Sequence, residues 1–225
     1  MKMAKHFFIV LIAFMANVSY AEKTKEQQKS KLFFLPRELE IDLALAAGPE
    51  HIRAEATVYI FTRSGYTKVS NGKNGFTCFV NRDGFQNGEK AIRPTCWDPE
   101  GTTTIVPVML RVGELIAQNK SADEIKGDIE SGFKTKRFSS PQKSGIAYML
   151  KGDLLFDEKT QKIETVFHSH YMLYAPGVSN KDLGVSNEAL QTNPSLPFIY
   201  DGYSGGARTA YIIVPAVTSS GHQHH

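Results

Sequence analysis

Residues 168–170 read His168-Ser169-His170, and they lie in a run, 163–175 (IETVFHSHYMLYA), that alternates as a strand does. Side chains two apart on a strand project from one face, so the two imidazoles form a pair of ligands for zinc or copper. A closed site needs further donors, and Asp153, Asp157 or a histidine of the 222–225 tail are the candidates. The competing reading is a pair of polar side chains on a solvated sheet face.

Two cysteines, Cys78 and Cys96, offer a different chemistry. As a nucleophile, Cys78 would need His170 as its base. The strand pattern instead puts Cys78 beside the apolar Phe76 and Val80, where no positive charge favours a thiolate. In an exported chain the pair is expected as a disulfide, contributing about 3 kcal/mol on the loop-entropy account. Closing it should fold the polar loop 82–94 back over the sheet and bring Trp97 against the sheet edge. Gly202, Ser204 and Gly206 keep half the frame of a nucleophile elbow, but the run that follows is strand-like where that motif turns into a helix. There is no phosphate-binding loop, dinucleotide fingerprint or zincin helix.

A third cluster is aromatic. Tyr171, Tyr174, Tyr200, Tyr203 and Arg208 gather in the last third of the chain beside a Gly-rich loop, 200–208 (YDGYSGGAR). Amphipathic rings next to a guanidinium suit a small-molecule site or a protein-partner surface.

The elements that must position these groups begin after a targeting segment. Lys2 and Lys5, a short apolar run at 7–16 and small residues at Ser19 and Ala21 read as a secretory signal peptide over 1–21. Its apolar run is well short of the ~20 residues of a membrane span. Removing it takes away two of the lysines behind a formal net charge of +3. The remaining near-neutral balance argues against a nucleic-acid groove or an anionic membrane surface. Residues 22–35 are expected as a mobile polar leader, 36–217 as one α+β domain, and 218–225 as a flexible His-rich tail.

Within the domain, 36–47 (PRELEIDLALAA) reads as a helix, with Pro36 at its start, acids in the first turn, and Gly48-Pro49 as the stop. The stretch 57–80 reads as an antiparallel meander punctuated by Gly and Asn. TTTIVPV at 102–108 reads as a short edge strand, followed by helical periodicity over 108–118. Ser121 and Glu124 form a capping box that opens a second helix carrying Ile125, Ile129 and Phe133. Its acids, Asp123, Glu124, Asp128 and Glu130, disfavour contact with phosphates. Strands follow at 145–150, 163–175 and 209–214.

The segments GKNGFTCFV, GIAYMLK and HYMLYAPG resemble a family of uncharacterised exported bacterial proteins across most of the mature chain. That resemblance implies export and bacterial origin, and it brings no activity, cofactor or catalytic residue. The element order predicts an α+β fold, an antiparallel sheet with two or three helices packed on one face. The expected function is a non-catalytic binding or interaction domain outside the cytoplasm, periplasmic or extracellular. The alternative is a metal-dependent enzyme centred on His168 and His170.

Overall fold

Six helices and ten strands make up the computed structural model, which describes residues 32–202 and 204–216. The signal segment 1–21, the leader up to residue 31, Tyr203 and the His-rich tail lie outside the described residues. Leu32–Leu35 are described: Phe33 and Leu35 are buried, and Phe33 packs its ring against Phe85 and Phe156.

The chain opens with helices α1 (Arg37–Ala46) and α2 (Glu50–Arg53), then strands β1 (Thr57–Thr62), β2 (Gly65–Ser70), β3 (Thr77–Asn81) and β4 (Arg93–Trp97). Helices α3 (Pro99–Thr104), α4 (Val106–Ala117) and α5 (Ala122–Lys134) follow. The last part contains β5 (Ile146–Met149), β6 (Asp153–Asp157), β7 (Lys162–Phe167), β8 (His170–Tyr174), α6 (Asn187–Thr192), β9 (Phe198–Tyr200) and β10 (Tyr211–Pro215). Eight strands form one sheet in the order β2-β1-β3-β4-β5-β8-β10-β9, and β6 pairs with β7 in a separate hairpin.

The sheet is mixed, so the expected meander is corrected. β1 and β2 form an antiparallel hairpin, whereas β3 runs parallel to β1, with Thr57 opposite Thr77 and Val58 opposite Cys78. Residues 71–76 carry the chain across the start of β1. Lys73 and Asn74 donate backbone N–H bonds to the Glu55 carbonyl, and Asn74 Nδ2 donates to the Ile52 carbonyl. Only glycine fits at Gly72, because a Cβ there would lie 2.2 Å from the Glu55 carbonyl oxygen.

The helices cover two faces, a second correction. β3 and β4 are buried on both sides, which a sheet covered on one face alone would not allow. α1 packs on β1, β3 and β4, on the side carrying Cys78, Val80 and Cys96, and Gly48 just beyond it lies against Cys96 Sγ. On the opposite side, Asn81 Nδ2 meets the Met109 sulfur of α4, and Phe79 stacks on Trp97 with ring centroids 4.4 Å apart. Trp97 is therefore interior, flanked by β3 and β5, and not at an edge. Its Nε1 donates to the Tyr211 hydroxyl at 3.0 Å.

Residues 102–108 are helical despite their β-branched side chains. Asp98 caps α3 by accepting from the Gly101 N–H at 2.9 Å, and Pro99 and Pro107 each occupy a helix's first turn, where a missing N–H costs nothing. Burial of Ile105, Val106 and Val108 outweighs the modest propensity penalty. α5 has both bonds of its capping box, from Glu124 N–H to Ser121 Oγ and from Ser121 N–H to Glu124 Oε2. Asp128 of α5 ties it to α4 through a two-point bond with Arg111.

The long run 163–175 divides into two strands with different partners. β7 pairs with β6, and β8 lies between β5 and β10. The division is imposed by the turn between β5 and β6, where Gly152 has φ +68° and a Cβ would sit 2.0 Å from the Phe167 carbonyl oxygen. Residues 168–169 bridge the gap, and Ser169 Oγ donates to the Leu150 carbonyl at 2.7 Å.

Among the described residues no helix is long and apolar enough to cross a membrane. Cys78 and Cys96 are joined as a disulfide. They face each other across β3 and β4, so the bond staples neighbouring strands within the core.

Candidate functional site

One face of the C-terminal half-sheet bounds a cavity. Register places Trp97, Ala147, Met172, Ile213 and Phe198 in a single row across β4, β5, β8, β10 and β9. Thr95, Met149 and His170 lie one pleat to one side of this row, Tyr211 and Tyr200 one pleat to the other. Met109 of α4, Asn81 at the end of β3, Asp83, and Asp153 and Phe167 of the hairpin complete the wall of a space of about 210 Å³. The wall is mostly apolar, with its polar groups concentrated around Asp83, Arg93 and Asp153.

That polar end is tightly bonded. Arg93 Nε donates to Asp153 Oδ2 at 3.0 Å, Nη2 donates to Glu89, and Nη1 donates to the Asp83 carbonyl. Burial alone would lower the Arg93 pKa, but Asp153, Tyr200 and Glu89 more than offset it and hold the guanidinium charged. Asp83 Oδ1 accepts from Gln86 Nε2 at 2.8 Å and from Ser204 Oγ at 2.7 Å. Burial still pushes this carboxyl above the ordinary aspartate range, against the pull of those bonds.

A raised folded-state pKa means that the fold binds a proton more readily than the unfolded chain does. Its stabilising contribution is therefore present below the unfolded pKa of about 4 and is lost as pH rises through the folded value. Asp83→Asn keeps an oxygen for Gln86 and Ser204 and cannot ionise. Its melting temperature should exceed that of the wild type near neutral pH, with the difference shrinking as pH falls toward about 4. A difference independent of pH in thermal melts would contradict this account.

His170 is 3% exposed, and its Nδ1 lies 2.8 Å from the His168 carbonyl oxygen. A carbonyl only accepts, so Nδ1 carries the proton and Nε2 is left with its lone pair. Burial lowers the His170 pKa, opposed by the His168 carbonyl and the Asp153 charge, and keeps the ring neutral. His168 lies in the break between β7 and β8, exposed, with its ring 4.3 Å from that of Phe167. Asp153 lines the cavity with His170, whereas Asp157 is exposed at the far end of β6, accepting from turn amides. Among the described residues no group of three or more His, Cys, Asp or Glu is placed to hold a metal ion.

The aromatic cluster divides. Tyr200 lines the cavity. Tyr174 points to the same side of the sheet but is occupied structurally, its hydroxyl 2.7 Å from Asp98 Oδ1 and 3.0 Å from the Ile146 carbonyl. Tyr171 is on the opposite face, edge-on to Tyr148. Arg208 lies over the Phe133 ring in a separate open depression beside α5.

The chain matches no protein-family model, no curated protein and no solved structure.

The wall includes residues that spacing alone did not single out: Asp83, Arg93, Met109, Met149 and Met172. For Met172 a signal exists, since it lies two residues after His170 on the same strand face. Met149 becomes its neighbour only through the β5–β8 pairing.

Proposed function

We propose that this is an exported binding protein that takes a small ligand into the cavity between α4 and the C-terminal half-sheet, without catalysis. The observation carrying this reading is a concave, mostly apolar space with a few fixed polar groups at one end, the usual form of a small-molecule site. Its volume of about 210 Å³ favours a ligand below drug size. The signal-like amino terminus and the internal disulfide support export. A metal-dependent enzyme centred on His168 and His170 has less support, because only His170 faces the cavity.

Thermal-shift screening of small metabolites and metal ions tests the proposal. A ligand at 100 times its Kd stabilises by about 2.7 kcal/mol, which for a chain of this size raises Tm by roughly 5–10 °C. Ile213→Trp, which fills the cavity, should abolish that shift while the unliganded protein still melts cooperatively. Turnover of a screened compound without stable binding, or an undiminished shift in Ile213→Trp, would overturn the reading.

A further inference from the structure

The chain has six methionines, and three of them, Met1, Met3 and Met15, fall within the first fifteen residues. The other three, Met109, Met149 and Met172, all line the one cavity that His170 lines. They reach it from α4, β5 and β8, elements distant in sequence. Each is buried, at 2–5% exposure. Met149 is the register partner of His170 across β5 and β8. Directly opposed side chains have Cβ atoms about 4.5–5.5 Å apart, so an imidazole nitrogen and a thioether sulfur are within reach of one ion. Met172 is next along the inward face of β8, and Met109 comes from the helix above.

Building on the cavity as the ligand site, we propose that its ligand is a soft monovalent metal ion, Cu(I), bound by His170 Nε2 and the thioethers of Met149 and Met172, with Met109 closing the site from α4. Thioether sulfur and neutral imidazole together select Cu(I) over Zn(II), Mg(II) or Ca(II). The hydrogen bond from His170 Nδ1 to the His168 carbonyl orients the ring and fixes the tautomer, as outer partners of metal-binding histidines do. The two carboxylates that line the same cavity are engaged elsewhere, Asp153 by Arg93 and Asp83 by Gln86 and Ser204. No thiolate competes, because both cysteines are in the disulfide. Trp97, Phe167 and Ile213 keep the donors in an apolar surround that a weakly hydrated monovalent ion tolerates better than a divalent one. Four neutral donors around a single positive charge also keep the buried net charge small.

Methionine is also a common filler of irregular core space, and Met→Leu separates packing from ligation. The exchange nearly conserves volume and usually costs less than about 1.5 kcal/mol, but it removes the sulfur. The experiment titrates the mature full-length protein with Cu(I), supplied anaerobically with ascorbate as reductant, against the chromophoric chelator bicinchoninate. Wild type, Met149→Leu/Met172→Leu and His170→Gln are compared, all with the same His-rich tail. Wild type should hold one Cu(I) per chain. The double methionine variant and His170→Gln should each lose affinity by about 100-fold or more, the double variant while still melting cooperatively. X-ray absorption of the wild-type complex should show sulfur together with nitrogen neighbours.

Equal retention in wild type and the double methionine variant would overturn the inference, as would a copper environment of nitrogen and oxygen alone. Failure of the wild type to compete with the chelator would overturn it too. If an organic compound nevertheless gives a thermal shift that Ile213→Trp abolishes, the cavity remains a ligand site and only its assignment to Cu(I) falls.

Discussion

Replacing Glu40 with leucine or Arg82 with methionine should each lower stability by about 3–5 kcal/mol, the usual consequence of removing one partner from a buried ion pair. Arg82 is 0% exposed and Glu40 is 1% exposed. Arg82 Nη1 and Nη2 donate to the two Glu40 oxygens at 2.8 and 3.1 Å, and Nη1 also reaches the Val80 carbonyl. Glu40 Oε1 accepts the backbone N–H of Phe61 as well, and the guanidinium lies over the Phe61 ring, 4.6 Å from its centroid. The pair therefore clamps α1 to β1 and to the end of β3. Tyr66 completes the cluster, its hydroxyl donating to the Val80 carbonyl and accepting from the Arg82 N–H. Arg82 Nε has no hydrogen-bond partner among the described residues, so the network is already one bond short of full satisfaction. Glu40→Leu/Arg82→Met removes both charges and should recover a large part of either single loss, because two apolar side chains leave nothing uncompensated. Urea melts of the four proteins give the coupling. Strictly additive losses would mean that the pair is not the clamp its geometry describes.

Arg82 also marks where sequence reading runs out. It opens a stretch, 82–94, that composition describes as a polar loop, and nothing local distinguishes a fully buried arginine from an exposed one. Its partner lies 42 residues away in α1, and only tertiary packing brings the two together. The features that were legible are those whose causes are local. Ser121 and Glu124 satisfy each other's backbone groups within one turn, and alternation places Cys78 and Val80 on one face of β3. The parallel pairing of β1 and β3 was not legible, because it depends on a crossing loop whose hydrogen bonds go to Glu55 and Ile52. The helical state of 102–108 was masked by its β-branched side chains, whose burial settles the matter.

The cavity shows the same division. From His170 onward the alternation of β8 was readable, and it correctly puts His170, Met172 and Tyr174 on one face. The step from His168 to His170 was misleading, because Gly152 and the hairpin it starts interrupt the strand between them. Tyr171 and Tyr174 alternate, so a cluster defined by closeness in sequence divides between the two faces. What gathers the three methionines is the register of β5 on β8 and the placement of α4 over the sheet. Neither leaves a trace in the spacing of Met109, Met149 and Met172.

Loss of the disulfide has the second large expected effect. Cys78→Ala/Cys96→Ala, or reduction of the wild type, should lower stability by about 3 kcal/mol on the loop-entropy account, with a further loss from the emptied space in the double variant. Both sulfurs are wholly buried at the centre of the sheet, against Gly48 and the residues of α1. Because the bond joins residues already opposite each other in an antiparallel ladder, the folded strands need not move when it breaks. Its effect should fall mainly on the unfolded chain, which regains the freedom of the loop closed between two residues 18 positions apart. The reduced protein should therefore keep the same cavity and the same ligand response at low temperature while melting well below the oxidised form. Parallel melts with and without a strong thiol reductant, followed by alkylation and mass spectrometry, give the comparison. Equal melting temperatures in the two states would show that this bond contributes little. A reduced protein that melts lower and has also lost its ligand response would show that it shapes the cavity directly.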